Sequence, residues 1–360
     1  MPTEASILPA VTLRHPLAAR RILRLGLGTA LSLYCSQALQ WQLSFMAPVL
    51  TLFILSLPLP APGLRKGLTF IAALLAPVTA GLALLPFLEH ARSTGILLLT
   101  LALFYSFLFT ARGGSAVLGT FMTMGLTLVV TIGSVNSEML ILLIRALAIN
   151  ALLGLVFVWV AHALLPDPPL GATKPGNRPR PAPAVSAGAA ARKALRSLLV
   201  VLPLVLAFLF MSGSPAYTAV MIKVASLGQQ ASAEESREMG RSLLMSTLWG
   251  GVGAIGAWYL LSAWPSLILY TLIIGLAGLL YGRRIFHGPG VHPDFSTWSY
   301  AFLTMIIILA PAVLDSPGSS GAGAAFWSRL ALFVLIALYG TAAVAIFDAF
   351  WPAGESNGNR

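Results

Sequence analysis

The chain of 360 residues is 58% hydrophobic and only 9% charged, against ~25% charge in soluble domains, which excludes an ordinary soluble fold and places it among polytopic membrane proteins. Its formal net charge of +11 would suggest a nucleic-acid partner in a soluble protein, but the basic residues lie between apolar runs, so no nucleic acid is expected and they read as topology determinants. No GxxxxGK[ST] phosphate loop occurs, which excludes ATP hydrolysis by that route, and the single cysteine, Cys35, excludes an internal disulfide and argues against a thiolate metal site.

Arg14 to Arg24, Leu25 to Cys35 and Ser36-Gln37-Ala38 have the layout of a cleavable signal. The same basic entry recurs mid-chain, so we read this stretch as the first span. About 17–25 apolar residues cross a bilayer, and shorter runs need tilt or burial inside protein. On that ruler the pattern predicts an all-α polytopic membrane protein with twelve transmembrane helices. The first six are 22–40, 44–58, 64–88, 94–111, 115–134 and 139–165; the others are 194–211, 214–228, 238–262, 264–282, 297–314 and 327–350.

Ala18-Ala19-Arg20-Arg21-Ile22-Leu23-Arg24 returns as Ala190-Ala191-Arg192-Lys193-Ala194-Leu195-Arg196, a shift of 172. Arg65, Gly81 and Arg112 map onto Arg237, Gly253 and Arg284 at the same offset, and Gly154 and Pro166 onto Gly340 and Pro352 at 186. A fixed long period implies two copies of one unit. The expected domains are a six-helix repeat over 1–166, a Pro/Gly/Ala-rich linker over 167–191 and a second repeat over 192–360. An even number of spans per copy makes the repeats parallel. With the N-terminus cytoplasmic, eighteen of the twenty-two basic residues fall in cytoplasmic segments, as the positive-inside rule requires. Arg92 falls outside, and Lys223, Arg145 and Arg329 fall within spans.

Lys223, in the short run from Pro215 to Gly228, is the leading candidate residue. A cation at the centre of a membrane helix costs roughly 2.5–3.5 kcal/mol on insertion scales, so its presence marks a functional-site hypothesis. About five residues from the inner end of its span, it can alternatively snorkel to the interface. No acidic residue falls mid-span, which favours an anionic substrate as counter-charge. Phe45 to Leu57, with Pro48 and Thr51, occupies the matching place in the first half; short or Pro-interrupted spans at matching positions point to a transporter's binding site. Pro48 suggests a broken helix, and Pro215 a broken helix or an ordinary helix start. Tyr217 and Thr51 can donate hydrogen bonds to a substrate. Arg145 and Arg329, offset by 184, suit either anion attraction in an outer cavity or anchoring to headgroups, with Glu138 and Asp315 as alternative partners.

Gly251-Val252-Gly253-Ala254-Ile255-Gly256 matches GxGxxG but lacks the preceding strand of a dinucleotide site. Gly250, Gly253 and Gly256 instead form a stripe for close helix approach, and Gly26 and Gly28 can do the same. His287, His292 and Asp294 suit a solvated turn better than a metal site, and Glu234, Glu235 and Glu238 the charged first turn of a helix. Neither catalytic residues, nor a bound metal, nor a cofactor are expected, and we do not read the chain as an enzyme.

The basic entry Arg20-Arg21-Ile22-Leu23-Arg24, the Pro48-containing second span, Arg65 opening the third, and the run from Arg145 through Asn150 and Gly154 to Pro166 resemble the fusaric-acid-resistance (FUSC-like) superfamily. That resemblance implies efflux of small aromatic or other organic anions across the bacterial inner membrane, with a periplasmic adaptor of the membrane-fusion type as partner. The chain departs from larger members, which carry a substantial soluble domain where this one has only residues 167–191. The resulting expectation is a proton-coupled exporter of an organic anion, multi-pass in the lipid bilayer, with both termini cytoplasmic; assembly as a homo-oligomer is compatible with it. A passive anion channel and a non-transporting scaffold of an envelope complex are the alternatives.

Overall fold

The computed structural model describes residues 16–133, 137–167, 186–210, 218–233, 236–288, 290–314 and 322–351. Among them are twelve α-helices: α1 (Pro16–Ala38), α2 (Met46–Leu55), α3 (Leu64–His90), α4 (Arg92–Ala111), α5 (Ala116–Gly133), α6 (Ser137–Leu164), α7 (Ala187–Phe210), α8 (Thr218–Ala233), α9 (Ser236–Ala263), α10 (Leu267–Ile285), α11 (Phe295–Leu314) and α12 (Ala322–Phe350). A two-stranded hairpin, β1 (Phe286–His287) against β2 (Gly290–Val291), joins α10 to α11. Seven of these helices, α3, α4, α6, α7, α9, α10 and α12, are long and apolar enough to cross a membrane. The protein is therefore an all-α, membrane-embedded multi-pass chain, because in hydrocarbon the helix satisfies its own backbone.

Burial sorts the helices into two layers. Residues 220–231 of α8 and 301–310 of α11 are buried without a break, as are Met46–Phe53 of α2 and residues 123–129 of α5. The longer helices surround this centre and present exposed apolar stripes. Leu97, Leu101 and Tyr105 do so on α4, and Ile268, Leu272, Leu276 and Leu280 on α10, every fourth residue as one helix face requires. Contiguous apolar surface of that extent is what lipid covers.

The packing partners follow a six-helix rhythm. α1 packs on α2 and α6, and α7 on α8 and α12; α3 packs on α4, α5 and α6, and α9 on α10, α11 and α12. Between the halves, α1–α10 is matched by α7–α4, and α5–α8 by α11–α2.

The arginines of the basic entry do more than set topology. Arg24, 2% exposed, donates to the Leu165 carbonyl at 2.6 Å and pairs with Asp167 at 2.5 Å, Arg20 donates to the Pro166 carbonyl, and Arg21 to that of Pro58 at 3.2 Å. In the second half Arg192 donates to the Trp351 carbonyl and pairs with Asp348 at 2.9 Å, while Arg196, 3% exposed, donates to the Ala231 carbonyl and approaches Asp348 at 3.5 Å. Each set clasps the carbonyl ends of two helices, where the backbone lacks partners and the dipole favours a cation. We call this end of the bundle the basic end.

Glycines set the close crossings. A Cβ on Gly278 would lie 2.6 Å from Gly26 Cα, and one on Gly26 would lie 2.9 Å from the Gly275 carbonyl, so α1 and α10 touch backbone to backbone, the small-residue packing of membrane helices. A Cβ on Gly154 would approach the Ala47 carbonyl to 3.1 Å, and one on Gly340 would reach Leu227 Cδ1 at 2.4 Å. The pair offset by 186 thus serves the α2–α6 crossing in one half and α8–α12 in the other. Gly250 and Gly253 are in close contact with α11 and Tyr281, whereas Gly256 faces open space, so the expected stripe shortens to its first two members.

Candidate functional site

Lys223 lies in the central helix α8 and is 0% exposed. Its Nζ donates to Thr304 Oγ1 of α11 at 3.0 Å and sits 6.0 Å from the Phe333 ring centroid of α12, within cation–π range. The snorkelling alternative fails on two counts. The side chain is wholly enclosed by protein, and α8 runs to Ala233, ten residues beyond Lys223 (233 − 223), or roughly 15 Å at 1.5 Å per residue. The helix outruns the expected span of 214–228 because Gln229 and Gln230, polar in the sequence, are buried and helical.

An ammonium has three donors, and one is used by Thr304. Asp167, Asp348 and Asp294 pair with arginine or histidine at helix ends and in the loop before α11, and none of these pairs involves Lys223. The nitrogen in the centre meets a hydroxyl and a ring, contacts that use one of its three N–H groups.

Thr51, the residue 172 before Lys223, is fully buried in α2. It donates to the Ala47 carbonyl at 2.8 Å and lies 3.2 Å from Ser32 Oγ and 3.3 Å from the Gly154 carbonyl. Its hydroxyl is spent within its own half, on α1, α2 and α6. Pro48 lies in the first turn of α2, where an N–H has no intrahelical acceptor to lose, so the ring starts the helix and does not break it. The irregular backbone is upstream: Gln40 and Leu43 adopt φ of 49° and 53°, and Asn150 Nδ2 holds that loop by donating to the Gln42 carbonyl at 2.9 Å.

Arg145 lies on the exposed surface of α6, and Arg329 is half-buried on α12, one turn before Phe333. The two arginines, offset by 184, therefore occupy different environments, and only Arg329 shares a helix with a residue of the Lys223 environment. Pro215, Tyr217 and Asp315 lie outside the described residues. Among the described residues no cluster of three metal-ligating side chains occurs; His292 and Asp294 meet at 3.7 Å beside the hairpin.

Sequence reasoning missed the polar track at the α4–α5–α8 contact. Gln229 Nε2 donates to Thr123 Oγ1 at 2.7 Å, its Oε1 accepts from Thr110 Oγ1 at 3.1 Å, and Thr123 meets Ser106 at 2.9 Å. The signal available was a pair of glutamines seven and six residues from a membrane lysine. Clefts occur at both ends of the bundle. One of about 290 Å³ is lined by Gln37, Trp258 and Ser266, and one of about 720 Å³ at the basic end by Arg241, Ser242, Thr297 and Trp298. Lys223 lines neither.

A family described as a protein of unknown function (DUF2955) matches residues 21–161, from the arginines of α1 to the last turn of α6, a stretch that holds Pro48, Thr51 and Arg145 but not Lys223. No curated protein and no solved structure matches the chain.

Proposed function

We propose that the chain is a secondary transporter of the bacterial inner membrane that exports a small organic anion, an aromatic carboxylate, with Lys223 as its counter-charge. One observation carries this reading: a fully buried ammonium in a central helix whose polar partner is the Thr304 hydroxyl. Burying an ion costs several kcal/mol, and a structural lysine offsets that with a carboxylate. An ammonium without one is matched to a negative guest.

The reading includes twelve spans in two parallel six-helix repeats, about an axis that passes among α2, α5, α8 and α11. Supporting it are the packing partners that recur six helices on, the duplicated arginine clasps, and a family match that spans one six-helix unit. The short central helices then function as protein-enclosed segments, the place where membrane transporters keep their binding sites. The basic end is taken as cytoplasmic, the side on which Lys and Arg accumulate. A similarity to fusaric-acid-resistance proteins adds the expectation of a periplasmic adaptor. With Lys223 sealed from both clefts, the conformation fits an occluded step of alternating access better than a continuous pore.

The deciding experiment is flux of labelled benzoate in proteoliposomes carrying an imposed pH gradient. Accumulation against the anion's own gradient, abolished by an uncoupler, is the expected result. Currents reversing at the anion's equilibrium potential would make the protein a channel, and the absence of any flux from well-inserted protein would leave it a scaffold.

A further inference from the structure

Gln229 and Gln230 are neighbours on α8, both at most 2% exposed, yet their amides differ. Gln229 is satisfied at both ends by Thr110 and Thr123. Gln230 has neither Nε2 nor Oε1 bonded among the described residues. A buried amide without partners is costly, and natural folds keep few such groups, each of which calls for an explanation.

Its position supplies one. Gln230 follows Lys223 by seven residues, which at 100° per residue is about 20° short of two turns and roughly 10.5 Å along the axis. The two side chains therefore leave one face of α8, with Gln230 nearer the basic end. Lys223 meets α11 at Thr304, and α11 runs antiparallel to α8. Two turns toward the basic end on α11 is Thr297 (304 − 7), whose Oγ1 donates to Ser242 Oγ at 2.7 Å. That hydroxyl pair lines the cleft of about 720 Å³, with Arg241 beside it. From the basic end inward the order is a cleft carrying a cation, a hydroxyl pair level with Gln230, and the ammonium two turns beyond.

We infer that Gln230 is a first station for the transported organic anion, reached from the cleft through the Ser242–Thr297 pair, before the anion moves on to Lys223. This rests on the reading of Lys223 as the counter-charge. The amide Nε2 donates to a carboxylate oxygen, while Oε1 accepts from a water or hydroxyl that travels with it. Being neutral, the amide holds the anion less tightly than the ammonium does. Such graded sites let a solute enter and still leave.

Two measurements test it. In proteoliposomes, Gln230→Leu is expected to raise the KM for labelled benzoate about tenfold while leaving the detergent melting temperature unchanged or higher, since no hydrogen bond is lost. A wild-type KM, or a melting temperature lowered by several degrees, overturns the station. Independently of transport, Gln230→Cys in a Cys35→Ser background is expected to react with the anionic reagent sulfonatoethyl methanethiosulfonate from the basic-end face of oriented vesicles, and more slowly with benzoate present. A thiol that is inert from both faces also overturns it. Normal flux in Lys223→Met would sink the counter-charge reading by itself, and because labelling does not depend on flux, the two failures are distinguishable.

Discussion

Replacing Lys223 by Met keeps an unbranched side chain of similar length and removes only the charge and its donors. The ammonium has one hydrogen bond, 3.0 Å to Thr304, and a ring at 6.0 Å. An anion seated about 4 Å from it at an effective dielectric of about 20 gains ~4 kcal/mol, which at 1.4 kcal/mol per tenfold is roughly 10³ in affinity. Transport of dilute benzoate per inserted molecule should fall by that order. Stability should move the other way, or not at all. Relief of several kcal/mol of ion desolvation outweighs a lost charge-assisted hydrogen bond of about 1.5–3 kcal/mol. Flux in proteoliposomes, normalised to inserted protein, and a detergent melting curve on the same preparation form the assay. Flux within about threefold of wild type refutes the counter-charge, and a large fall in melting temperature shows the lysine to be structural.

The other expectations concern the scaffold. Arg196→Met should cost ~1–3 kcal/mol, because the buried Ala231 carbonyl loses its donor while Asp348 keeps Arg192 at 2.9 Å; Arg24→Met should cost about 2 kcal/mol, since Asp167 is 34% exposed and can rehydrate. Denaturant titration of both variants would refute the clasp if neither lost stability. Gly278→Ala puts a methyl 2.6 Å from Gly26 Cα and should cost ~1–3 kcal/mol, whereas Gly256→Ala, facing open space, should be neutral or stabilising by up to ~1 kcal/mol; equal melting temperatures would refute the α1–α10 contact.

What the sequence disclosed depended on how each signal is generated. Apolar run length is a direct demand of the bilayer, so the helices appear close to where the pattern placed them, α6 at Ser137–Leu164 against 139–165. Their ends were less legible. α8 continues to Ala233 through glutamines that a hydropathy window reads as an exit, because Gln229 is satisfied by hydroxyls of α4 and α5 that lie over a hundred residues away in the chain. Pro48 pointed to a break for a related reason: a proline breaks a helix only where a full turn precedes it, and here the helix begins at Met46, which places the ring in the first turn. The arginines carried two messages at once. Their placement between spans was readable as topology, while their second role required knowing that the α6 and α12 carbonyl ends return to α1 and α7. Lys223 was legible as a residue because a charge is conspicuous among apolar neighbours, but its partner Thr304, eighty-one positions away, was not.

On the proposed reading a guest completes the electrostatics of a cation that rests on a hydroxyl and a ring, and this has a thermodynamic signature that needs no flux. A ligand that binds only the folded protein stabilises it by RT ln(1 + [L]/Kd), about 2.7 kcal/mol at a hundred times Kd. For a chain of 360 residues that is about 3–4 °C in melting temperature, at roughly 1.3 °C per kcal/mol. A panel of small carboxylates in detergent should therefore raise the melting temperature of the wild-type protein, with the shift growing with the logarithm of concentration. The same anions should leave Lys223→Met unmoved, although that variant starts from an equal or higher melting temperature. An equal shift in both proteins would mean that the anions act on the exposed arginines of the basic end, and the central ammonium would then have no ligand role to explain its burial.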